Sequence, residues 1–194
     1  MAAVDLFAIA SGPGSFTGLR IGLATIQGLA FVTNRPIVGV SALEAVAHAA
    51  SGGAKTGTVI GAWMDAHRRE VFSALYRVTS AAPFDPGRLA EIEPAAVGNP
   101  ATTLARWAGL ASGPWIVAGD GAAAYAALIR DNGLDAAVVI DPSPLAGAIG
   151  RIAVARARRG EAVAPAAIRP LYVRRPDAEI AREKDVSYEG HQGR

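Results

Sequence analysis

The sequence predicts an α/β fold, and three observations carry that prediction. Short apolar runs closed by glycine or proline turns alternate with stretches of helical period. A glycine turn, Ser11-Gly12-Pro13-Gly14-Ser15, joins the first apolar run to the first helical stretch. The 194 residues are 51% hydrophobic and 19% charged, which is globular composition on a chain long enough to bury a core.

Taken in order, residues 5–10 read as a buried strand. Thr17 can cap a helix running to Thr33, and Asn34-Arg35-Pro36 stops it. Residues 36–40 read as a second strand, and Ser41 with Glu44 three residues on forms a capping box for a helix to Ala50. The glycine-rich residues 51–57 read as a hinge. Residues 58–64 and 70–78 read as strands joined by the polar turn Asp65-Ala66-His67-Arg68-Arg69. Pro83, Pro86 and Pro94 make residues 81–99 mostly irregular. Helices are expected over 100–110 and 121–130, on either side of a strand over 115–118. A last short strand over 138–140 precedes a long helix over 143–159, whose basic final turn suits its dipole. The sheet should be partly parallel. Two lobes result, 1–52 and 58–175, with 176–194 as a mobile charged tail.

Composition narrows the chemistry. The absence of cysteine excludes disulfides, thiolate nucleophiles and cysteine-ligated metals. The histidines are His48, His67 and His191, with no pair at helical i,i+4 spacing, so neither metal nor other cofactor is expected. No run reaches the ~20 apolar residues of a membrane span, and the N-terminus is unlike a signal peptide. A cytoplasmic protein without membrane contact is the expectation. Seventeen arginines against two lysines leave a net charge of only +2, so a basic patch is not indicated.

The glycine turn fails three motif tests. As a dinucleotide fingerprint its third glycine would fall on Thr17, and no carboxylate closes the second strand. As a phosphate loop it has five residues between Gly12 and Gly18, followed by Leu19-Arg20 in place of Lys-Ser/Thr. As a nucleophile elbow it puts Ser15 next to Gly14 with no spacer. The helix beyond it is more telling. Leu19, Leu23, Ile26 and Ala30 form a core stripe, and Gly18, Gly22, Thr25 and Leu29 a second, smooth one. Interior Gly22 and Gly28 each cost about 0.8–1.0 kcal/mol relative to alanine, a loss that close approach of another helix would offset. Only Arg20 and Gln27 give a polar edge. The helix should therefore be covered on most sides, by this chain or by a partner's helix.

The run from Ser11 to Gly22, with Gly28-Leu29-Ala30 and Val38-Gly39-Val40-Ser41-x-Leu43-Glu44, resembles the TsaB (YeaZ) family. Asp65-Ala66-x-Arg68-x-Glu70-Val71-Phe72, Gly119-Asp120-Gly121-Ala122 and Pro170-Leu171-Tyr172-Val173-Arg174 are similar to its later motifs, in the same order. The resemblance implies an actin-like ATPase fold of two lobes, the first incomplete. Roughly fifty residues of that family's front, the length that three strands and a helix with their turns occupy, are expected to be missing ahead of Met1. It also implies a non-catalytic partner of the TsaD transferase, which makes N6-threonylcarbamoyladenosine at adenosine 37 of tRNAs reading ANN codons. A TsaE-like ATPase would join them, a homodimer would use the same face, and tRNA would be met only indirectly. The alternative is an actin-like ATPase or an M22-type peptidase relative with its own activity.

Partner binding would then fall on Phe16, Gly18, Gly22, Thr25 and Leu29, with Phe16 an exposed anchor and Gly12, Gly14, Ser15 and Thr17 shaping the loop. Asp65, Arg68, Gly119, Asp120 and Gly121 would lie nearest any nucleotide, although Ala66-His67 fills a turn where phosphate-binding relatives carry glycines. The simpler reading of Asp120 is a helix cap. Arg68, Arg69, Arg151, Arg156, Arg158 and Arg159 are the candidates for tRNA contact.

Overall fold

The computed structural model describes residues 4–132, 136–139 and 144–174. The readings on residues 140, 143 and 176–194, with His191, lie outside the described residues. Two sheets and their helices stack as five layers. The first sheet holds two parallel strands, β1 (Phe7–Gly12) and β2 (Ile37–Ser41). The second has β3 (Val59–Asp65), β4 (Val71–Val78), β5 (Leu89–Gly98), β6 (Trp115–Ala118) and β7 (Ala136–Val139), in the order β5-β4-β3-β6-β7. Strands β3, β4 and β5 pair antiparallel, whereas β3, β6 and β7 pair parallel. The sheet is thus partly parallel, as the alternation of elements predicts.

Helix α1 (Phe16–Thr33) covers the outer face of the first sheet. Helices α2 (Ala42–Ala50) and α6 (Ala146–Arg158) lie between the sheets. The outer face of the second sheet carries α3 (Pro100–Leu110), α4 (Asp120–Ala124) and α5 (Ala126–Asp131). Period-two alternation explains the layering. Ile60, Ala62, Phe72, Ala74 and Tyr76 meet Leu43, Val46 and Ala47 of α2. Val59, Trp63, Val71 and Leu75 point the other way, onto Leu104 and Trp107. Gly61 is on that second face because a Cβ there would lie 2.3 Å from Trp107 Cζ3.

Three expectations need correction. Residues 89–98 form a ten-residue strand and not irregular chain. Pro94 is tolerated because β5 is an edge strand, and the ladder shifts register between Ser73 and Leu75, opposite it. The helix expected over 121–130 is two short helices that break at Tyr125. The capping box at α2 is half made. Ser41 Oγ accepts from Glu44 N at 3.5 Å, but the Glu44 carboxylate turns away to Arg156. Of the cover expected around α1, this chain supplies only the side over the sheet, where Leu23 and Ala30 are its buried residues. By length and composition alone α1 could cross a membrane. Here Gln27 donates to Pro165 O at 3.0 Å and Leu23 packs among Phe7, Ile9 and Ile37, which ties it into the fold.

Candidate functional site

The junction after β1 is shaped by what must pass over it. Leu171 N donates to Ser11 O at 2.7 Å, bringing the 171–174 segment across the turn. A Cβ on Gly12, whose φ is +126°, would lie 2.5 Å from Leu171 O, so only glycine fits. Gly14 is half-buried beside Leu19. Ser15, and not Thr17, caps α1, with its Oγ accepting from Gly18 N at 3.3 Å. Thr17 is exposed one position inside the helix. Phe16 is half-buried, with the Arg20 guanidinium 4.0 Å from its ring centroid and Tyr172 5.3 Å away. Arg20 Nε in turn donates to Tyr172 OH at 3.1 Å.

The two stripes of α1 separate in the structure. Leu19, Leu23, Ile26 and Ala30 face the sheet. Of the second stripe, Gly18 and Thr25 are exposed, whereas Gly22 and Leu29 are half-buried. A Cβ on Gly22 would meet Ile9 Cδ1 at 3.6 Å, so this glycine sits over β1. The open face carries Thr17, Ile21, Ala24, Gly28 and then Phe31 and Val32. Ile21 is 63% exposed, Phe31 77% and Val32 84%. A Cβ on Gly28 would meet nothing within 4 Å. The sequence reading missed Ile21, Phe31 and Val32, although their spacing of three to four from Thr17 onward is itself a helical stripe.

A cleft of about 170 Å³ opens between this junction and the β3–β4 turn, lined by Phe16, Leu19, Asp65, His67, Phe72 and Tyr172. Three consecutive residues of that turn, His67, Arg68 and Arg69, have φ of 58°, 53° and 62°. Asp65 Oδ1 accepts from His67 N at 2.9 Å, and Arg174 donates to Ala66 O at 2.8 Å while pairing with Glu70. All three side chains at the tip are exposed. Gly119 and Gly121 are held against the end of β3, where Cβ atoms would lie 2.0 Å from Trp63 O and 2.9 Å from Met64 C. Gly119, and not Asp120, is the cap residue of α4. Asp120 Oδ1 accepts from Gly121 N at 2.8 Å and Asp65 N at 3.1 Å, stitching the turn to the helix. Asp65, Gly119, Asp120 and Gly121 are therefore together, with Arg68 at the tip.

Of the arginines, Arg156 is internal. Its Nη2 donates to both Glu44 carboxylate oxygens, at 2.8 and 2.9 Å, and its Nη1 to Gly39 O at 3.1 Å. Burial raises the Glu44 pKa while Arg156 opposes the rise. Arg159 pairs with Asp85 at 2.9 Å, Arg151 lies over the Phe84 ring, and Arg68, Arg69 and Arg158 are exposed. Among the described residues no three of His, Asp or Glu are placed to hold a metal ion.

Comparisons with known proteins give the family. A family model described as tRNA N6-adenosine threonylcarbamoyltransferase (TsaD) matches residues 1–182. The tRNA threonylcarbamoyladenosine biosynthesis protein TsaB of Escherichia coli is 34% identical over 176 residues, covering 88% of this chain and 71% of that protein. An uncharacterized Mycobacterium tuberculosis protein is 32% identical over 187 residues, 92% of this chain and 68% of its own. A crystal structure of a Pseudomonas aeruginosa protein with similarity to peptidase YeaZ superposes with a TM-score of 0.72 at 30% identity, covering 89% of this chain and 75% of that one. YeaZ from the same organism gives 0.65 at 28%, covering 88% and 74%. With the fold, the glycine junction and the relatives in agreement, the chain belongs to the TsaB (YeaZ) family.

Proposed function

We propose that this chain is a non-catalytic partner that binds and supports a TsaD-like transferase in the cytoplasm, with α1 as the contact. The transferase would form N6-threonylcarbamoyladenosine at adenosine 37 of tRNAs reading ANN codons, a TsaE-like ATPase would join the pair, and tRNA would be met only through them. The reading is carried by the open apolar face of α1. Large apolar side chains at 21, 31 and 32 stand exposed beside the bare backbone of Gly18 and Gly28. Such a strip suits a second helix, which could pack closely over the glycines and bury the flanking side chains. A second copy of the chain could use the same strip.

The alternative of an actin-like ATPase draws less support. The cleft of about 170 Å³ is smaller than the roughly 300–1,000 Å³ of ordinary ligand pockets. Ala66-His67 stand in the turn where phosphate-binding relatives carry glycines, and Gly119 and Gly121 are packed against the end of β3. Co-purification with the TsaD-like transferase of the same organism tests the proposal. Ile21→Asp and Val32→Asp are expected to lose the transferase while keeping the thermal midpoint, and retention by both variants would refute it. Gly22→Leu is a poorer probe, because the new side chain would push into Ile9.

A further inference from the structure

The glycine-rich residues 51–57 have the composition of a hinge, yet the fold ties them down. Arg88, only 8% exposed, spends both terminal nitrogens on four backbone carbonyls. One nitrogen donates to Ser51 O at 3.0 Å and Ala54 O at 2.9 Å, both in the linker. The other donates to Thr79 O and Ala81 O, each at 2.9 Å, in the loop that leaves β4. Arg77 donates to Gly57 O at 3.3 Å, and Gly57 N to Val78 O at 2.8 Å, which fastens the far end of the linker.

The same loop reaches both central helices. Phe84 stacks on His48 of α2, with ring centroids 5.9 Å apart and planes 14° from parallel. Asp85 pairs with Arg159 at the end of α6, and Arg151 of α6 covers the outer face of Phe84. Pro83 and Pro86 flank the contact and restrict the backbone there. His48 is completely buried, and neither of its ring nitrogens has a hydrogen-bond partner among the described residues. That ring is therefore held by packing, of which the Phe84 stack is a part.

We propose that residues 79–88 form a strap that locks the linker 51–57 to α2 and α6, so that the two sheet layers move as one body. A fold whose lobes close on a ligand needs that linker free. Here the strap makes the chain a rigid support, and this holds whichever partner it serves.

The chain has two lysines, Lys55 in the linker and Lys184, so a lysine-specific protease reads the linker directly. In the intact 194-residue chain, cleavage at Lys55 should be at least a hundredfold slower than in the same chain unfolded in urea. Arg88→Ala should speed it at least tenfold, with β4 amides still protected from hydrogen exchange. Native cleavage at the unfolded rate, or an Arg88→Ala rate equal to wild type, would overturn the proposal. Should Arg88→Ala fail to fold, hydrogen exchange on the wild-type chain decides. The amides of Ala54, Gly57, Ala81 and Arg88 should open as one unit, and free exchange of Ala54 and Gly57 beneath a protected 79–88 would contradict the strap.

Discussion

The outer faces of the two sheets are finished very differently. On the five-stranded sheet Trp63 and Trp115 interlock with Trp107 of α3, all at most 4% exposed. Trp107 and Trp115 stack at 6.4 Å, and the Trp107 indole donates to the Glu93 carboxylate, which also accepts from Arg106 at 2.6 Å. On the two-stranded sheet α1 buries only Leu23 and Ala30 and leaves its opposite side apolar and bare. One face has spent its large side chains on its own core. The other holds them out in a pattern that this chain does not use. Apolar surface that a fold leaves uncovered in a regular stripe is where association is to be sought.

Substitutions can break or sharpen that contrast. Trp107→Ala should be the most damaging, at about 3–5 kcal/mol from the cavity it opens, read as a fall in the urea midpoint. The next effect comes from the layer between the sheets. Burial, with help from Arg156 and Arg88 and against Asp85, lowers the His48 pKa to about 4. Glu44 stands 3.8 Å away, Tyr76 packs in the same interior layer, and Glu91 acts on both Glu44 and Tyr76. At this imidazole the unfolded chain then binds the proton first, so the His48 contribution to stability is full above about pH 6.5 and is lost as pH drops toward 4. The loss amounts to about 3 kcal/mol, and His48→Leu should flatten that part of the stability–pH curve. A curve unchanged by His48→Leu would show that another group titrates there.

Glycines separate the two faces at smaller magnitude. Gly61→Ala drives a methyl into Trp107 and should cost roughly 1–3 kcal/mol by overpacking. Gly28→Ala meets open space and should stabilise the isolated chain by about 0.8–1.0 kcal/mol through helix propensity. The same Gly28→Ala should weaken partner binding, since it fills the approach. Val32→Ser should change chain stability by less than about 0.5 kcal/mol, the range of exposed positions. A large loss from Val32→Ser would mean that the α1 face is not open.

Much of this was legible in the sequence. Short apolar runs closed by turns located β1 to β4, caps and helical period located α1, α2, α3 and α6, and the core stripe of α1 follows from Leu19, Leu23, Ile26 and Ala30. The strand at β5 was hidden because Pro94 argues against a ladder unless the strand lies at an edge, and edges are set by the whole sheet. The side of α1 that stays open was hidden for a different reason. Glycine has no side chain to declare its direction, so Gly22 against Ile9 and Gly28 facing outward look alike in one dimension. Arg88 had no local signal at all, because its four acceptors come from two separate loops.

Calorimetric titration of the TsaD-like transferase of the same organism into this chain, wild type against Ile21→Asp, tests the central claim most directly. Tight binding by the wild type, and at least a hundredfold weaker binding by the variant at an unchanged thermal midpoint, is the predicted result. Equal affinity in both, or heat-silent wild type at high concentration, would contradict α1 as the partner-binding face.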